Sequence, residues 1–143
     1  MKKTLIAIGS VALVALIIAF SIMGSYNGLV SKEELVKSAN SKIEVALQRR
    51  ADLIPNVVES TKGYMKHEKE IFSNIADARS KIGSSDKATK EEGQSELSSA
   101  ISRLLVVKES YPELKADTQV SALIAELEGT ENRIGVARTD YNT

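Results

Sequence analysis

The sequence has no cysteine, no tryptophan, only two prolines, two phenylalanines and one histidine. The absence of cysteine excludes disulfides, thiolate metal sites and thiol nucleophiles, and is compatible with either side of a membrane. One histidine cannot build a His-based zinc site. His67-Glu68 opens like a zinc-protease helix, but position 71 is Ile where the second histidine must stand. Carboxylates remain as ligands for harder cations. No GxSxG surrounds any serine, and no glycine is followed by the Lys-Ser/Thr pair of a phosphate loop. An excess of positive charge is also missing, since the formal net charge is zero. Beyond residue 30 there are seventeen basic and nineteen acidic groups. Aromatics make up 4% of the chain. With neither a basic surplus nor a stacking platform, no nucleic-acid partner is expected. No catalytic, cofactor-binding or metal residue is assigned, and the chain is not expected to be an enzyme or to carry a cofactor.

What remains is aliphatic and periodic. The 143 residues are enough for one domain, and 43% are hydrophobic. A core of Leu, Ile, Val and Ala suits helix-on-helix packing. The organising stretch is residues 49–82. Ile54, Val57, Tyr64, Ile71, Ile75, Ala78 and Ile82, joined by Thr61 and Glu68, alternate three and four steps apart. That spacing lines one face of a helix. Val58, Met65 and Phe72 form a second line beside it. Together they make a stripe wide enough for more than one partner helix.

The chain begins with Lys2 and Lys3, then an uncharged run from Leu5 to Met23. As a helix this run would measure about 28 Å, close to the hydrocarbon core of a bilayer. Leu5, Ile8, Leu13, Leu16, Ile18, Phe20 and Met23 are its anchor candidates, with residues 4–25 in lipid. Two readings compete: an anchor that stays, and a signal peptide that is cut off. The run is long for a cleaved peptide, and Ala19-Phe20-Ser21 is a poor cleavage site, so the retained anchor is favoured. The expected location is the cell membrane, crossed once. Lys2 and Lys3 favour an inside N-terminus, but Lys32, Lys37 and Lys42 flank the other end and leave the bundle's side open. The expected division is an anchor over 1–30 and a helical domain over 31–143.

Ser31 and Glu34 have capping-box spacing and predict a helix start. Pro55 should kink that helix or break it tightly. Gly83 should end the central helix, with Ser85 or Asp86 capping the next. Tyr111-Pro112 should end that one. Asp117 or Thr118 should open the last, along Val120, Leu123, Leu127, Ile134, Ala137 and Tyr141. Short hinges make neighbours antiparallel. The predicted fold is all-α: a transmembrane helix and an antiparallel bundle of three to four long helices.

Charges falling inside the apolar lines are the informative polar residues. They are Glu68, Glu131 and Arg138, with Arg50 continuing the line of the first helix and Arg79 added as a candidate partner. A buried charge must be paired. Glu68 or Glu131 is therefore expected to meet Arg50, Arg79 or Arg138 between helices. Such pairs would fix helix register; a cation-binding or proton-transferring carboxylate cluster and plain snorkelling to solvent are the alternatives.

Several blocks resemble the bacterial LemA family: "RRADLIPNVVESTKGYMKHE" at 49–68, "AR" at 78–79, "YPELKA" at 111–116 and "GTENRIGVAR" at 129–138 with "YN" at 141–142. The resemblance runs from about Tyr26 to Asn142. It implies a transmembrane helix, a helical bundle and a membrane location, with a poorly defined biochemical role; one branch is similar to magnetosome-membrane proteins. This chain has Asn40 where the family often has Trp, and stops at Thr143 where the family usually continues with a further helical tail. The function expected is that of a membrane-anchored scaffold that self-associates or binds a partner membrane protein, with a lipid-organising protein or a secreted bundle as alternatives.

Overall fold

A computed structural model describes residues 2–142, with Thr4 described for its backbone alone. All regular structure among these residues is helical: α1 Lys2–Lys62, α2 Lys69–Ile82, α3 Lys87–Val107, α4 Pro112–Ala116 and α5 Thr118–Asn142. A 3-10 turn, Lys108–Ser110, links α3 to α4. The chain divides into two compact units, Met1–Ser41 and Lys42–Thr143, with the boundary inside α1.

In the first unit the apolar run is fully helical. Leu5, Ile8, Leu13, Leu16, Ile18, Phe20 and Met23 are between 54% and 72% exposed, so no protein surface covers them. An 18-residue window reaches a mean hydropathy of 2.8. This helix is long and apolar enough to cross a membrane. The helix start expected at Ser31 does not occur, because α1 runs through it. Gly24 and Gly28 each cost a helix about 1 kcal/mol, yet no proline follows until Pro55, and Lys, Glu, Leu and Ala between them favour continuation.

The second unit is the bundle. The end of α1 from Lys42 packs with α2, α3 and α5 around one core. Leu53, Ile54, Val57, Met65, Ile71, Ile75, Leu97, Ile101, Leu104, Ile124 and Leu127 are all at most 4% exposed. Pro55 lies inside α1 and neither ends it nor separates two helices. It removes one backbone bond, but the turn around it is held by the buried Leu53, Ile54 and Val57. The central stretch 49–82 is not one helix. It breaks at residues 63–68, where Tyr64 and Met65 both donate to the Thr61 carbonyl at 3.0 Å. Gly63 weakens the helix there, and Met65, fully buried, plugs the gap. Thr61, Met65 and Ile71 are buried on both sides of the break, so helical spacing concealed it.

The α2–α3 hairpin closes at Gly83–Asp86. Asp86 is the N-cap of α3 and accepts from the Thr89 amide at 2.8 Å. These two helices pack closely because Gly93 has no side chain. A Cβ there would stand 2.8 Å from the Ala78 carbonyl oxygen and 2.9 Å from the Ile82 nitrogen. The helix ends at Val107, ahead of Tyr111-Pro112, and Pro112 instead starts α4. Leu114, 1% exposed, pins this short element to the core. Asp117 then caps α5, accepting from the amides of Gln119 at 3.0 Å and Val120 at 3.1 Å.

Candidate functional site

Two polar clusters lie within the bundle. The first surrounds Arg50, whose side chain is 1% exposed. The heptad-like spacing Ala46, Arg50, Leu53, Ile54, Val57 places it on the core face of α1. Its Nη1 donates to Ser98 Oγ at 2.6 Å and to Glu131 Oε1 at 2.8 Å. Its Nη2 donates to the Gln94 carbonyl at 3.3 Å and also to the Gln94 side chain. Gln94 and Ser98 are one turn apart on α3, and Glu131 is on α5. One guanidinium thus ties three helices, and its fork geometry lets it reach all of them at once. Glu131 is 18% exposed, so the pair sits at the edge of the core with its charge facing inward from α1. No buried side-chain polar atom among the described residues is left without a partner.

The second cluster fastens the 63–68 break to the 111–117 connection. Tyr64 donates its hydroxyl to Asp117 Oδ2 at 2.7 Å, and Tyr111 donates to Glu68 Oε1 at 3.0 Å. The Asp117 bond pushes the Tyr64 phenol above its ordinary value, helped by partial burial. The same bond, with the α5 amides, holds the Asp117 carboxyl below its own. Partial burial and the bond to Glu68 raise the Tyr111 phenol. Tyr64, Tyr111 and Asp117 therefore keep their bonded protonation states at neutral pH.

Ion pairs on the outside link the same helices. Arg49 meets Glu126 across α1 and α5, and Arg103 meets Glu70 at 3.0 Å across α3 and α2. Lys81 bridges Glu92 at 2.7 Å and Glu96 at 2.6 Å, which raises the lysine to about 12. Exposed pairs of this kind add little stability each.

The five polar candidates therefore separate. Arg50 and Glu131 meet. Glu68 binds a tyrosine instead of an arginine, because the break at 63–68 places it beside Tyr111. Arg79 and Arg138 are exposed: each stands one residue past a buried alanine, Ala78 and Ala137, and so about 100° round the helix from the core face. Gln94, Ser98, Tyr64 and Tyr111 complete the clusters without having been singled out as polar partners. The spacing of Gln94 and Ser98 on the inner side of α3 was the available signal. His67 is exposed, and no group of three or more potential metal ligands exists among the described residues. An open polar trough between α2 and α3, lined by Asn74, Asp77, Ser80, Ser95 and Ser99, has no histidine or thiol beside its hydroxyls.

Arg50, Tyr64, Glu68, Tyr111 and Glu131 come from the blocks that mark the sequence, 49–68, 111–116 and 129–138, while Gln94, Ser98 and Asp117 lie outside them. The LemA family model matches residues 39–143, which covers the whole of the second unit. The chain belongs to the LemA family. Among LemA-like relatives, Protein LemA of Metamycoplasma hominis is 30% identical over 86% of this chain and 57% of its own length. Magnetosome protein MamQ 1 of Paramagnetospirillum magneticum is 28% identical over 88% of this chain and 57% of its own length. MamQ of Magnetospirillum gryphiswaldense is 27% identical over 98% of this chain and 61% of its own length. The chain thus spans roughly three-fifths of the relatives it matches. The LemA match encloses the Arg50 and tyrosine clusters, while the apolar half of α1 lies before it.

Proposed function

We propose that this LemA-family chain is a membrane-anchored, non-enzymatic scaffold whose helical bundle self-associates or holds a partner membrane protein. The single observation that carries this is the contrast between the two units. One holds an apolar helical run, Leu5 to Met23, whose large side chains are left uncovered. The other is a bundle in which no buried side-chain polar atom among the described residues lacks a partner. Buried polar groups at Arg50 join three helices. The tyrosine–carboxylate bonds hold a chain break closed. Neither offers a substrate a nucleophile with its base. The membrane reading draws further support from the high mean hydropathy of an 18-residue window in the first unit and from the exposure of the large side chains of Leu5 to Met23. The lipid-organising alternative is weaker, because the bundle carries no basic amphipathic face.

The test is the size of the full-length chain in mild detergent, measured by light scattering, together with vesicle co-sedimentation of the bundle. Assemblies of two or more chains, with no vesicle binding by residues 42–143, support the scaffold. A clean monomer at all concentrations removes the self-associating reading. Vesicle binding by the bundle alone favours the lipid-organising one.

A further inference from the structure

The break at 63–68 is specified from outside itself. The helices that follow α2 open on local signals: Asp86 caps α3, Pro112 starts α4 and Asp117 caps α5. The α2 helix opens on Glu68, whose side chain makes no capping bond. No residue of the break has the positive φ of a tight turn, and none is proline. The helical spacing of Val57, Thr61, Tyr64, Glu68, Ile71 and Ile75 runs through it without a skip. Apart from Gly63, nothing in these residues makes the chain turn back.

The bend is held by a latch near each end. Tyr64 donates to Asp117 Oδ2 at 2.7 Å, and Glu68 accepts from the Tyr111 hydroxyl at 3.0 Å. Both bonds reach the 111–117 connection, and all four groups are only half-buried. Between the two, Lys66 and His67 are exposed, and Met65 is the one fully buried side chain of the break.

The polar contacts that join residues 42–62 of α1 to later helices form a separable set. Arg50 binds Gln94 and Ser98 of α3 and Glu131 of α5, and Arg49 meets Glu126 of α5. A second copy of the chain offers the same partners. Exchange of an element between identical copies therefore keeps these contacts and gives up only those of the hinge. Opened out, the six residues 63–68 span roughly 20 Å. Packed helices stand about 8–10 Å apart, so the hinge is long enough to reach a neighbouring copy.

We propose, resting on the self-associating reading above, that residues 63–68 are an exchange hinge. With the latch open, helices α2 to α5 of one copy pack on residues 42–62 of a second copy, and the reverse. The Arg50–Glu131 pair then forms between chains. Confinement of both copies to one membrane raises their effective concentration and favours the exchanged pair over two closed chains. Closed chain and exchanged pair share one core, so the strength of the latch sets the balance between them.

The chain lacks cysteine, so engineered cysteines report proximity without background. Arg49→Cys and Glu126→Cys are made on separate, differently tagged full-length chains, because the two positions meet across α1 and α5. The chains are mixed in mild detergent, reconstituted in lipid vesicles and treated with a short bis-maleimide. Mixed cross-linked dimers are expected, and far fewer when Ser99→Cys on the exposed side of α3 replaces Glu126→Cys. Tyr64→Phe with Tyr111→Phe, introduced in both chains, keeps the rings and removes the latch bonds, so mixed dimers should rise several-fold. If circular dichroism shows that this double change prevents folding, Tyr111→Phe alone should still raise them. No mixed dimers, as many with Ser99→Cys, or a yield that ignores the latch variants would overturn the proposal; the last result marks copies packed side by side without exchange. If the hinge fails in this way while light scattering still finds assemblies, only the hinge falls. If the chain is monomeric throughout, self-association falls with it.

Discussion

Replacing Glu131 by leucine gives the sharpest test of how the bundle is held. Arg50 is fully buried, and Glu131 is the only carboxylate that reaches it among the described residues. Removing that carboxylate leaves a guanidinium charge in the core with Gln94 and Ser98 as its sole partners. Breaking a buried pair from one side costs about 3–5 kcal/mol. The lower end applies here, because Glu131 is 18% exposed and two neutral acceptors stay in place. About 3 kcal/mol corresponds to a fall of roughly 12 °C in Tm for a domain near 100 residues. Arg50→Met combined with Glu131→Leu removes both charges and fills the space with apolar groups. Such replacements are often neutral or better. The double variant should therefore recover most of the loss, giving a coupling energy of about 2 kcal/mol in a double-mutant cycle. Thermal unfolding followed by circular dichroism measures all four corners. A Glu131→Leu loss below about 1 kcal/mol, or strict additivity in the cycle, would refute the reasoning.

Three further outcomes are expected. Gly93→Ala should destabilise the bundle by about 1–3 kcal/mol, because its Cβ meets α2 backbone at 2.8 Å. Gly135→Ala, with open space around the new methyl, should stabilise it by about 1 kcal/mol in urea unfolding of the detergent-solubilised chain. Asp117 has a depressed carboxyl in the folded state, so its contribution is complete above the ordinary carboxylate range and is lost as pH falls through the lower folded value. Tm should therefore drop on acidification below about pH 4, and the drop should be shallower in Asp117→Asn.

The helical class, the turn at Gly83 and the caps at Asp86 and Asp117 were legible because each is a local signal. Apolar periodicity named the core, and capping residues marked the ends. The break at 63–68 was not legible, because Met65 keeps the apolar rhythm while the backbone leaves the helix. That error moved Glu68 off the helical face where arginine partners were expected and onto Tyr111. The continuation of α1 through Ser31 and Pro55 was hidden for the opposite reason. A capping box and a proline are strong local signals, but here packing and good helix formers outweigh them. Of the polar site, Arg50 and Glu131 were visible as charges interrupting apolar lines. Gln94 and Ser98 were marked only by their spacing, and an uncharged polar residue in an apolar line stands out less than a charge.

The central claim, a bundle fixed to a membrane by the first unit, is tested most directly by fractionating cells that express the full chain. Membranes are washed with alkaline carbonate, and protease is added to intact and opened cells. The account predicts that the chain, unprocessed at its N-terminus, stays in the carbonate-washed membrane pellet and that protease cleaves the bundle from one side only. Recovery of a shortened, freely soluble bundle would contradict it.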